Sequence, residues 1–146
     1  MTISEHPATI VVDVANVMGA RPDGWWRDRA GAAVRLHGEV AALAASGRAI
    51  LPDESGESGE SGPPEFVMVL EGAANAAGPR IAKAAPEGRV RVVHAPGHGD
   101  DTIVAVVRDL PGRRVVVTAD RELRDRCAAA GAEVRSPGWL LGLLKP

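Results

Sequence analysis

Residues 97–126 read GHGDDTIVAVVRDLPGRRVVVTADRELRDR, and this stretch decides the fold. Gly97, His98 and Gly99 read as a turn, after which Asp100 and Asp101 stand where a helix N-cap is expected. Ile103, Val106, Val107 and Leu110 then repeat at i, i+3, i+4 and i+7, the stripe of a helix lying on a core. Pro111-Gly112 ends that helix. Arg114 to Thr118 is an almost unbroken β-branched run, typical of a strand covered on both faces. Asp120 follows directly, and a second helix begins at Arg121 with Leu123, Cys127 and Ala130 on one face and Gly131 as its cap.

Working outward, residues 9–15 (TIVVDVA) form an apolar run that favours a strand with Asp13 near its carboxyl end. An aspartate inside such a run is costly to bury without a metal, a hydrogen-bond donor or an edge open to water. Asn16 follows, and Gly19 to Gly24 reads as a loop. Residues 25–45 read as a helix through Trp26, Ala30, Ala33, Leu36, Val40 and Leu43, with Trp26 assigned to the core and Arg27, Arg29 and Arg35 to the exposed side. Residues 53–64 repeat Gly-Glu-Ser steps and read as an acidic loop inserted in the domain. Phe66 to Leu70 is a second strand closing on Glu71, an Ala-rich helix spans 78–85, and Val90 to Val93 is a third strand. Ala132 to Arg135 is a fifth strand, and Pro137 opens a last helix carrying Trp139, Leu140, Leu143 and Leu144.

Strands alternating with helices predict a single domain over 1–146: a three-layer α/β/α sandwich around a mostly parallel sheet of about five strands. The 146 residues suffice for one buried core. A hydrophobic content of 45% and a net charge of -2 describe a globular chain and disfavour a dedicated, strongly basic nucleic-acid binder, though not a local basic patch. One cysteine excludes an internal disulfide, and Cys127, on an apolar face, reads as buried and inert. No apolar run is long enough for a signal peptide or membrane span, so the cytoplasm is the expected location.

In a parallel sheet, functional groups collect beyond the carboxyl ends of the strands, near the point where strand order reverses. Asp13, Glu71 and Asp120 each fall at or just past such an end, and Asp100 and Asp101 open a helix on the same rim. Carboxylates brought together repel one another unless cations neutralise them. Hard oxygen donors suit Mg²⁺ or Mn²⁺ rather than zinc. Each acid also has a structural reading. Asp100 or Asp101 reads alone as a helix cap, Asp120 as the cap of the helix at Arg121, and Glu71 equally as ligand or loop residue. Asp13 has no such alternative, because a valine run needs no cap.

The segments IVVDVANV, GDDTIV and VVVTADRELRDRCAAAGAEV resemble the PIN-like nucleases, in particular the NYN or YacP-like branch. The resemblance covers most of the chain, and Thr118 to Arg124 together with Asp13 and Asn16 carry it. It implies a metal-dependent ribonuclease in which Asp13, Asp100 and Asp120 hold the ion, Asp101 or Glu71 assists, and Asn16 orders the first loop. His98 departs from the pattern, standing where many relatives have an acid; Glu71 stands where relatives often have an aspartate. The acidic loop has no counterpart.

RNA as substrate requires positive charge and stacking surface. Arg121 and Arg124 are the candidates for phosphate contact, with Arg21, Arg27 and Arg29 nearby in sequence. An ion pair with a site acid serves Arg121 as well. Trp25 and Trp26 offer a stacking plane, but Trp26 reads as core, and with one phenylalanine and no tyrosine an aromatic platform is not expected. Two further readings stand beside the ribonuclease: a non-catalytic RNA- or partner-binding module that keeps the fold, and a toxin-type nuclease of a toxin–antitoxin pair. The last helix is a homodimer or antitoxin surface in the latter, or otherwise the final helix of the core.

Overall fold

The valine-rich runs pair as parallel strands, and their register explains why the central ones lack any polar face. The computed structural model describes residues 7–47, 51, 63–84 and 90–145. β1 (Thr9–Asp13) lies at the centre, with β2 (Glu65–Leu70) on one side and β4 (Arg114–Val117) on the other. β3 (Val90–His94) and β5 (Glu133–Arg135) form the edges, so the order is β3-β2-β1-β4-β5, all parallel. The expected five-stranded parallel sheet is thus present.

Alternate residues feed two separate cores, as the two-residue period of a strand requires. Ile10, Val12, Phe66, Met68, Leu70, Val115 and Val117 face one layer, and Val11, Val67, Val69 and Val116 face the other. The first layer is built from α1 (Val14–Gly19), α2 (Arg29–Ala45), α3 (Gly78–Ala84) and α6 (Pro137–Leu144). The second consists of α4 (Gly99–Asp109) and α5 (Arg121–Ala129), which contribute Ile103, Val104, Val107, Leu123 and Cys127. Full burial of each large aliphatic or aromatic side chain contributes about 1.5–3 kcal/mol, so both helix layers are held mainly by this contact. Helix α6 buries Leu140 completely and packs Trp139, Leu143 and Leu144 against the first core, as expected of a last core helix. Gly131, the expected cap of α5, has a left-handed φ of 94° that favours glycine.

Several local expectations are corrected. The strand run expected over 9–15 stops at Asp13, whose side chain accepts the Asn16 N–H and starts helix α1, and the loop expected from Gly19 to Gly24 follows where that helix ends. The helix expected over 25–45 is broken at Asp28, whose Oδ1 accepts the Gly31 N–H at 2.9 Å and caps α2, leaving Trp25–Arg27 as a separate 3-10 turn. Trp26, assigned to the core, is 55% exposed for this reason. The N-cap of α4 is His98 rather than Asp100 or Asp101, which occupy its first turn. The acidic loop expected over 53–64 lies outside the described residues except for Pro63 and Pro64. Among the described residues, no helix is long and apolar enough to cross a membrane.

Candidate active site

β1 ends on Asp13, next to the point where strand order reverses between β1 and β4. The Asp13 side chain is buried. Its Oδ1 accepts the Asn16 N–H at 3.3 Å, and its Oδ2 accepts the hydroxyl of Thr118 at 2.9 Å. Thr118, fully buried just past β4, also accepts the Asp120 N–H on the same oxygen at 3.1 Å. The Asn16 Oδ1 accepts the Ala119 N–H at 2.8 Å. The corner after β1 and the corner after β4 are therefore stitched together by side chains more than 100 residues apart. Asp120 in turn caps α5, its Oδ1 accepting the Leu123 N–H at 3.0 Å.

Glu71, just past β2, does what Asp100 and Asp101 were expected to do. Its Oε2 accepts the Gly99 N–H at 2.5 Å and so caps α4 from a different strand. The positive end of the α4 dipole favours a carboxylate there. His98, in the capping position itself, makes no side-chain cap bond. Asp100, in the first turn of α4, sits half-buried in the same acidic surroundings.

The electrostatics bind four of the predicted acids into one group. Burial, reinforced by Glu71 and Asp100, pushes the Asp13 carboxyl up to about 6, against the lowering effect of the Thr118 and Asn16 bonds. Burial also raises Asp100, followed by the charges of Asp120 and Glu71, with Arg126 opposing. Asp101 stands apart from this group: its largely exposed carboxylate pairs with Arg126 at 2.9 Å. Arg126 rather than Arg121 makes this pair from α5, while Arg121 is exposed and Arg124 half-buried. Sequence reasoning missed Thr118 as a site residue, although its β-branched hydroxyl at the end of a buried strand was the available signal. Cys127 lies beneath the group, and burial pushes its thiol up to about 11, as an inert core cysteine requires.

Among the described residues, no group of three or more His, Cys, Asp or Glu side chains is placed to hold a metal ion together. The chemistry of the donor set nevertheless fits a hydrated Mg²⁺ or Mn²⁺. The donors are hard oxygens, and burial, with the charges of neighbouring acids added to it, raises both Asp13 and Asp100 and so disfavours their ionised forms unless a cation joins them. Magnesium keeps several waters and takes only one or two carboxylates, so it does not need a closed protein cage.

Glu71→Gln gives a direct test of this coupling. The amide oxygen can still accept the Gly99 N–H, so α4 should keep its start, while loss of the charge should lower the pKa of both Asp13 and Asp100. Carboxyl-carbon NMR titration would read the shift, and an Asp13 titration unmoved by the substitution would contradict the assignment.

No family model matches the chain, and no curated protein matches it by sequence. Among solved structures, the crystal structure of a point mutant of Rae1 (YacP) from Bacillus subtilis matches with a TM-score of 0.64 and 17% identity, covering 94% of this chain and 74% of that one. Identity at that level speaks for the fold and leaves the chemistry to the residues themselves. With its parallel five-stranded sheet between helical layers, the chain has the fold of that YacP structure, in keeping with the resemblance of its sequence to the PIN-like nucleases.

Proposed function

We propose that the chain is a ribonuclease that hydrolyses RNA phosphodiester bonds with a hydrated Mg²⁺ or Mn²⁺ at Asp13, Asp100 and Asp120, one or two of these carboxylates binding it directly and the rest, with Glu71, through its waters. The observation that supports this most is Asp13 itself: a buried carboxylate at the strand-order switch, opposed by two neighbouring acids, is expensive unless a cation joins it. A divalent ion bound there would lower the pKa of a water and stabilise the leaving oxygen. The chain's own residues supply position. Thr118 and Asn16 fix the rotamer of Asp13, and the helix cap fixes that of Asp120. Arg121 and Arg124, on the helix that leaves this rim, would meet the RNA backbone.

The experiment is cleavage of a fluorescent RNA panel with Mn²⁺, with Mg²⁺ and with chelator. Cleavage that requires the ion supports the reading, and a panel left intact while the ion binds would remove it. Asp101→Asn should change the cleavage rate by no more than about twofold, the scale of an ordinary surface substitution, because Asp101 is exposed and engaged by Arg126. A loss beyond tenfold would return Asp101 to the ion's ligands.

A second reading, a non-catalytic RNA- or partner-binding module, is favoured by the open arrangement of the acids and by His98 at the start of α4. It predicts no stabilisation of the fold by Mn²⁺, whereas the nuclease reading predicts a rise in melting temperature.

A further inference from the structure

The Trp25–Arg27 turn has no part in the acidic group, yet the cleft beside it adjoins that group. A cleft of about 520 Å³ is lined by Met18, Trp25, Arg29, Glu71, Ala73 and His98 among others. That volume lies within the roughly 300–1,000 Å³ usual for small-ligand sites. Glu71 belongs both to this cleft and to the acidic group, so the two are continuous.

Trp25 forms part of the cleft wall, and Trp26, next to it on the same turn, adds indole surface outside the cleft. Trp25 and Trp26 meet edge to face, with ring centroids 6.0 Å apart. The Arg29 guanidinium lies 5.4 Å from the Trp25 ring centre, and Arg27 lies 5.7 Å from that of Trp26. Gly24, in the left-handed region at a φ of 78°, and the capping Asp28 bracket the turn and keep Trp26 out of the core. A chain with only three tryptophans places two of them here, one of them 55% exposed. Core packing does not require an exposed indole beneath a guanidinium, whereas a stacked base beside a phosphate does use one.

We propose that this cleft is a nucleobase subsite for single-stranded RNA: one base enters it against Trp25 and Arg29, and the next stacks on Trp26. Arg27 and Arg29 face the flanking phosphates, and the strand continues past Glu71 to the acidic group. The proposal rests on the ribonuclease reading for what happens to the strand, but not for its binding. An aromatic platform, unexpected from a composition poor in phenylalanine and tyrosine, is thus supplied by tryptophan alone.

The test is fluorescence anisotropy of a labelled 12-nucleotide single-stranded RNA in chelator, where no metal-dependent cleavage takes place. Ala73→Phe, at an exposed position, fills the cleft, and Trp26→Ala removes the outer stacking face without opening the core. Each should weaken binding about tenfold, the scale of one lost stack, with an unchanged thermal melt. The matched DNA strand should bind within the same order, because stacking does not read the sugar, and duplex RNA should bind worse. Equal affinities for all three proteins, or a preference for duplex, would overturn the subsite. If so, metal-dependent cleavage lost in Asp13→Asn would still leave the ribonuclease reading standing. Weakened binding in both variants, with no cleavage under any metal, would keep the subsite and remove the ribonuclease.

Discussion

Asp13→Asn is expected to abolish cleavage and, at neutral pH, to make the protein more stable. The loss of activity should be at least about a hundredfold, the upper end of what removing even an outer-shell partner of a metal costs. The gain in stability comes from linkage. The Asp13 carboxyl rises from 3.8 to about 6 in the folded chain, chiefly through burial. Folding therefore raises its proton affinity, and the native state binds more protons than the unfolded one between these values. Stability conferred by that proton is fully present below about pH 4 and is lost as the pH rises through about 6. Above that pH the ionised Asp13 costs the wild type about 3 kcal/mol, a cost that asparagine does not carry. Asparagine can still accept the Asn16 N–H and can donate to the Thr118 oxygen. Urea unfolding at pH 5 and pH 8 should therefore show a variant that gains on the wild type as pH rises. Mn²⁺ should raise the melting temperature of the wild type and leave that of the variant in place. An asparagine variant less stable than the wild type at pH 8, or one that still cleaves, would show that Asp13 serves the fold alone.

Much of this site was legible in the sequence because it depends on strand ends. A β-branched run announces a buried parallel strand, and topology places the residues at its carboxyl end on one rim. Asp13 and Asp120 could be assigned to that rim without knowing a single contact. The features that stayed hidden depend on contacts between distant segments or on competition within a short one. The cap of α4 comes from Glu71, 28 residues earlier, so no local pattern near Gly99 could reveal it. Val14–Gly19 holds valines in a six-residue helix, and periodicity cannot separate so short an apolar helix from the end of a strand. Trp26 fell on the helical stripe, yet Asp28 competes for the backbone and restarts the helix behind it. The Asp101–Arg126 pair joins two helices whose relative placement the sequence did not specify.

Thr118→Val should be the most damaging change at a residue that is not itself an acid of the site. Valine keeps the branched shape of threonine, so the change is chiefly the loss of the hydroxyl and its hydrogen bonds. It removes one oxygen that serves two partners: as donor to the Asp13 Oδ2 and as acceptor for the Asp120 N–H. A hydrogen bond to a buried charge is worth about 1.5–3 kcal/mol, and here its loss leaves a carboxylate oxygen without its donor. The loss must depend on pH, because the Thr118 bond is the largest of the effects that hold the Asp13 pKa down. Without it the carboxyl rises further, so destabilisation should be larger at pH 8, where Asp13 is charged, than at pH 5, where it is mostly protonated. Thr118→Ser should restore most of both effects, since it returns the hydroxyl. Cleavage should fall about ten- to a hundredfold in the valine variant, as for loss of a group that orients a ligand. Its pH profile should move upward, because a more basic Asp13 reaches its ionised form later. Equal destabilisation at the two pH values would mean that Thr118 contributes packing and a backbone cap, and that the rotamer of Asp13 is held by Asn16 alone.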